Sequence, residues 1–191
     1  MRKPRFANPA RFALGVAVPA RMEDWARRED GQARDLARVS TSVSDTEQDL
    51  ALLARAVVLA GRIRVRVHMD LRSSQLDCLF RNADVVTLVA HAPSRDSIEL
   101  FDTEITRDRL VESIPVGFDG CLDLTMCRSE TLAEQIRFAR GCLVVGHKLG
   151  LGLRQGLMVY LQTLLTVIER PRPYFEVLSD LLIDWTEDLI R

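Results

Sequence analysis

The sequence predicts an α/β protein, a three-layer α/β/α sandwich whose mostly parallel central sheet is covered by helices on both faces. Three observations carry that prediction. The runs Val85 to Ala90 and Cys121 to Met126 are short and strand-like, and the first is apolar on both faces, as a central strand must be. Segments of helical periodicity fall between such runs, so strand and helix signals alternate along the chain. The 191 residues, 47% hydrophobic and 28% charged, suffice for one core, and 1–191 is read as a single domain with 1–43 set apart as its N-terminal segment.

Taken in order, Phe12 to Val18 reads as a first buried strand. It is preferred to a cleaved leader because Pro19 interrupts the apolar run. The charged stretch Met22 to Val43 fits either a polar helix over Glu23 to Arg38 or a surface loop. Ser44-Asp45-Thr46-Glu47 has the S-x-x-E spacing of a capping box and opens a helix to about Leu59, which Gly61 is placed to end. Arg62 to Met69 alternates with period two, giving a strand with one wet, basic face that includes His68. Ser73-Ser74 opens a short helix to Asn82, Val85 to Ala90 follows as a central strand, and Ile98 to Phe101 forms a hairpin arm. A short helix over Thr106 to Ser113 leads to the strand Cys121 to Met126. Ser129 then caps a helix over Glu130 to Arg140, Gly141 closes it, and Cys142 to Val145 is a further buried strand. Leu153 to Arg170 and Tyr174 to Ile190 are helices separated by Pro171 and Pro173.

Composition narrows the function classes. A formal net charge of −1 gives no pull toward nucleic acid or anionic lipid, so neither is expected as a partner. No apolar run approaches the roughly 18 to 20 residues that span a bilayer. Cys78, Cys121, Cys127 and Cys142 form no C-x-x-C pair and read as reduced thiols of a cytoplasmic protein, with Cys78, Cys121 and Cys142 as buried small hydrophobes. Scattered Cys and His offer no zinc spacing, so no metal is expected, and no cofactor. The glycines Gly146, Gly150, Gly152 and Gly156 miss the dinucleotide spacing and are treated as a flexible loop, with a nucleotide-responsive module kept as a third option. G-x-S-x-G is absent. The apolar C-terminal helices read as core, with a homo-oligomer or partner face as the alternative.

In an open parallel sheet, ligands bind outside the carboxyl ends of the strands. His91 directly follows the strand ending at Ala90, and Cys127 directly follows the strand ending at Met126. An imidazole beside a thiol can take its proton as base and return one to a leaving amine as acid. Arg128 and the start of the Ser129 helix add positive potential that favours the thiolate.

At these residues the chain resembles the CHAT family of caspase-like cysteine peptidases. The matching text is Ala83 to Ala92 around the histidine, Ile98 to Asp102 with Ile105-Thr106, and Leu122 to Ser129 around the cysteine. Cys142 to Gly146 and Gly156 to Leu181 are similar to the strand and helices that follow, so the resemblance runs from about Ile63 to the C-terminus. It implies a caspase-hemoglobinase fold and a cysteine endopeptidase in which Cys127 is the nucleophile and His91 the general base. The oxyanion hole would be formed by the backbone amides of Ala92 and Cys127, and Asp123 is a candidate specificity residue. It further implies a peptide or protein substrate, and a separately encoded sensor or activator of a bacterial defence or cell-death system. Two positions depart from the family pattern: Ala92 stands where a glycine follows the histidine, and Met126 where a small residue precedes the cysteine. The alternative those departures keep open is a catalytically degenerate caspase-like adaptor that binds a partner protein.

Overall fold

A computed structural model describes residues 6–18, 43–94, 97–125, 129–146 and 153–190, with the side chains of 43–46 and 183–190 outside that description. Five parallel strands form the sheet in the order β2-β1-β3-β6-β7, where β1 is Phe12–Val16, β2 Arg66–His68, β3 Val85–Val89, β6 Cys121–Thr125 and β7 Leu143–Val145. A separate antiparallel hairpin pairs β4 (Ser97–Glu99) with β5 (Glu104–Thr106). The segment 19–42, including the undecided helix or loop over Glu23 to Arg38, lies outside the described residues.

Every residue of β1, β3 and β6 is buried, which is why their sequences lack a polar alternation. Period two sends their side chains to two cores. On one face Val86, Leu88, Leu122 and Leu124 pack with α2 (Leu76–Phe80), α3 (Arg107–Ser113) and α4 (Glu130–Arg140). On the other, Phe12, Leu14, Val16, Val85 and Val89 pack with α1 (Val43–Arg62), α5 (Leu153–Glu169) and α6 (Tyr174–Ile190). Helices thus flank both faces of the sheet. Outside the core, Arg154 Nε meets Asp49 Oδ1 at 2.8 Å, tying α5 to α1. The Arg11 guanidinium grips both oxygens of Asp84 at 2.6 and 2.7 Å, fixing the start of β3 beside β1.

Several local expectations are corrected. Helix α1 begins at Val43, so Ser44 lies inside it, and it passes through Gly61 to Arg62. Its closure uses Arg64 instead, at φ 67°, with Val65 N–H bonded to Ala60 O and Arg64 N–H to Gly61 O. This is the 6→1 and 5→2 pair of a Schellman turn with arginine where glycine is usual. That turn takes up the residues before Arg66, leaving β2 three residues long. His68 is half-buried rather than a surface residue, and burial, with Arg66 beside it, lowers its pKa below the ordinary histidine value. Cys78 is exposed, because α2 turns its Leu76, Leu79 and Phe80 face inward. The strand at Leu143–Val145 is an edge strand whose Leu143 is exposed, not a buried one. No helix among the described residues is long and apolar enough to cross a membrane.

Candidate functional site

The strand order reverses between β1 and β3, since α1 covers one face and the helices following β3 cover the other. Ligands of open α/β sheets bind beyond the carboxyl ends of strands at such a reversal. His91 stands there, two residues past Val89, and is exposed while Ala90 before it is buried.

Its backbone is held from one side. His91 O accepts the Glu99 amide at 2.9 Å in an isolated antiparallel bridge, so the β4–β5 hairpin leans on the residue. The hairpin is anchored in turn to the loop after β2. Phe101 N–H donates to Leu71 O at 2.9 Å, the Ser73 amide and hydroxyl donate to the Asp102 carboxylate at 2.9 and 3.0 Å, and the Arg72 guanidinium lies 5.3 Å from the Phe101 ring centroid. Burial alone would raise the Asp102 carboxyl. The Ser73 bonds outweigh it and hold that group below the ordinary carboxylate range. The acidic hairpin residue Asp102 is therefore a structural clip, with Ala92 packed against the core between hairpin and strand.

Neighbouring strand β6 runs toward the cysteine. Val85 to Val89 pair with Cys121 to Thr125 residue for residue. Met126, Cys127 and Arg128 lie outside the described residues, so the expected nucleophile Cys127 and its amide have no described geometry. Ala92 is half-buried after His91. Ser129 is buried and its hydroxyl reaches back to Leu124 O at 3.1 Å, so it ties α4 to β6 instead of capping the helix as its sequence position suggested. Gly141, at φ 69°, does close α4.

Asp123 is in the interior, 1% exposed, on the face toward α5 and α6. Its Oδ2 accepts the Tyr174 hydroxyl at 2.7 Å and its Oδ1 the Thr125 hydroxyl at 3.3 Å. Thr87, the register partner of Asp123 on β3, has its Oγ1 3.2 Å from the same Tyr174 oxygen. Tyr174 is wholly buried, and desolvation together with the nearby carboxylate pushes its pKa well above the ordinary tyrosine value, so it remains a donor. The sequence reading missed Thr87 and Tyr174. A threonine and an aspartate inside otherwise apolar central strands were the available signal, because a buried polar group needs a partner.

The glycines around this end are also packing positions. A Cβ on Gly156 would lie 2.5 Å from Thr125 Cγ2, and one on Gly146 2.6 Å from Ser129 O and 2.7 Å from Ala133 Cβ. Both therefore let backbone approach β6 and α4 closely, and are not members of a loose loop. Gly150 and Gly152 lie outside the described residues. Burial raises the pKa of the Cys121 and Cys142 thiols, as for inert core cysteines. No group of three or more potential metal ligands occurs among the described residues. No family model, curated protein or solved structure matches the chain.

Proposed function

We propose that this chain is a caspase-like cysteine endopeptidase with Cys127 as nucleophile and His91 as general base, in a caspase-hemoglobinase arrangement of the sheet. One observation carries the reading. Val89 and Thr125 are register partners on adjacent parallel strands, and His91 and Cys127 each stand two residues further along the chain. Two residues of chain span at most about 7 Å, so imidazole and thiol start from neighbouring strand ends.

In the proposed reaction His91 takes the Cys127 proton and the thiolate attacks a peptide carbonyl, forming a tetrahedral oxyanion met by the amides of Ala92 and Cys127. The imidazolium then protonates the departing amine, and water attacks the thioester with His91 again as base. The hairpin bridge at His91 supports the role, since a base must be held where its proton is transferred. Asp123 enters only as a buried member of β6. Control would come from a separately encoded sensor or activator in a bacterial conflict system. The second reading, a non-catalytic adaptor of the same shape, is favoured by one feature, the alanine at position 92.

Alkylation separates the two. Near neutral pH an activated Cys127 should react with iodoacetamide about tenfold faster than an ordinary thiol. Exposed Cys78 is the internal standard, and buried Cys121 and Cys142 should lag behind both. His91→Ala should slow Cys127 and leave Cys78 unchanged. If Cys127 merely matches Cys78 and ignores His91→Ala, the catalytic reading fails and the adaptor reading stands.

A further inference from the structure

His91 is exposed, and among the described residues no side chain hydrogen-bonds its imidazole. A catalytic base is commonly oriented by such a partner. Here the hold is on the backbone. Ala17 N–H donates to Val89 O at 2.8 Å, and Leu71 N–H to Val16 O, Phe101 N–H to Leu71 O and Glu99 N–H to His91 O each at 2.9 Å. Ala17 follows Val16, and Phe101 and Glu99 share one hairpin, so these bonds close a ring that leaves β3 at Val89 and returns at His91. The hairpin is its weakest link, since two short strands are marginal alone. Ile98, Leu100 and Ile105 bury their side chains in the core, but apolar burial is non-directional. Direction at the hairpin tip comes from Asp102, whose Oδ1 accepts the Ser73 amide at 2.9 Å and Oδ2 the Ser73 hydroxyl at 3.0 Å. Ser73 is fixed in turn. It opens the turn Ser73–Gln75 that runs into α2, and Gln75 Oε1 accepts the Arg72 amide at 2.9 Å.

We propose that Asp102 is a positioning residue for His91: by clipping the hairpin to Ser73 it fixes the Glu99 bridge, and through that bridge the direction in which the imidazole leaves the end of β3. The proposal rests on His91 being the general base, and Asp102 itself touches no reacting atom. An exposed carboxylate held by one donor would trade it readily for water. Two donors from a single residue, one on each oxygen, fix the orientation of the carboxylate as well as its place. A displacement of about 1 Å at a reacting group can cost a large factor in rate, so a turn residue remote from the ring can govern it. A carboxylate that merely solvates the turn would have no link to His91.

The test uses the whole chain and reads three signals in Asp102→Ala: exchange at the Glu99 amide, the His91 ring resonances, and alkylation of Cys127 by iodoacetamide. Glu99 should exchange about tenfold faster while amides of β3 and β6 keep their protection. The His91 ring signals should shift or broaden, and Cys127 should slow about threefold or more. Asp102→Asn keeps an oxygen for one of the two Ser73 donors, so it should fall between alanine and the native chain in all three. In a His91→Ala background, Asp102→Ala should leave the Cys127 rate unchanged, because the clip acts only through the imidazole. Unaltered Glu99 exchange and His91 signals in Asp102→Ala would overturn the positioning role while the catalytic reading stands. Slowing of Cys127 that persists in the His91→Ala background would overturn it equally. A Cys127 rate indifferent to His91→Ala alone is a different result, which removes the catalytic reading and the proposal with it. If the alanine variant loses protection throughout β3 and β6, Asp102→Asn and Ser73→Ala are read by the same criteria.

Discussion

Replacing Tyr174 with Phe removes one oxygen and keeps the ring. The ring packs edge-on against Phe12, with centroids 5.4 Å apart, so little apolar contact is lost. What is lost is the 2.7 Å bond to Asp123 Oδ2 and the 3.2 Å contact with Thr87 Oγ1, all within the interior. A hydrogen bond to a charged group contributes about 1.5–3 kcal/mol, and leaving the buried acceptor short of a donor puts the cost at the upper end of that range. The expected destabilisation is about 2–3 kcal/mol. That is a large part of the roughly 5–15 kcal/mol holding a domain together. Urea unfolding should show a lower midpoint with an unchanged slope. In a double-mutant cycle with Asp123→Asn, the two changes should couple by at least about 1 kcal/mol. Alkaline pH gives an independent reading. Because the folded-state pKa of Tyr174 is raised, its contribution is complete below the unfolded value of about 10 and is lost as pH climbs above it. The phenylalanine variant should lack that part of the alkaline loss. A variant within about 0.5 kcal/mol of the native chain, or one without coupling to Asp123, would refute the network as described.

Two further tests address the glycines and the half-buried His68. Gly156→Ala should cost about 1–3 kcal/mol by overpacking against Thr125. Gly61→Ala, in a helix with nothing within 4 Å of the added methyl, should stabilise by up to about 1 kcal/mol. Equal effects of the two in thermal melts would contradict the assigned packing. His68 has a lowered folded-state pKa, so its neutral form is favoured on folding. Its contribution is present above the unfolded value of about 6.5 and lost as pH falls through the folded value. His68→Gln should flatten stability in that acid window, and an unchanged slope between neutral and mildly acid pH would count against the burial of His68.

The sequence was most informative where one physical rule acted alone. Short, largely apolar, strand-like runs marked β3 and β6, and Gly141 marked the end of α4. Rules in competition were harder to read. Gly61 looked like a helix end, yet the close of α1 is set by Arg64 and by burial of Val65, which a single-residue signal does not convey. Alternation over Arg62 to Met69 suggested a long strand, because the left-handed residue inside it leaves a period-two pattern intact. At the site, the position of His91 at a strand end was legible. Its bond to Glu99 was not, since hairpin placement depends on long-range contacts to Leu71 and Ser73.

The departures from generic stability are not scattered evenly. A carboxylate sits inside β6, with a buried tyrosine and a buried threonine beside it. A glycine replaces better helix formers in α5 so that the helix can pass against Thr125, and another lets the end of β7 close on Ser129. Ser129 spends its hydroxyl on Leu124 rather than on its own helix. Each has a local explanation. Together they tie one strand to α4, α5 and α6 at once, and the residues tied last, Thr125 and Ser129, are the two described residues on either side of the segment holding Cys127. A central strand that only filled the core would need none of this, since valine and leucine with ordinary spacing would serve. Local rules tend to be broken where a chain must hold a group in one place, and that concentration around β6 is the structural reason for looking to Cys127 before the other cysteines.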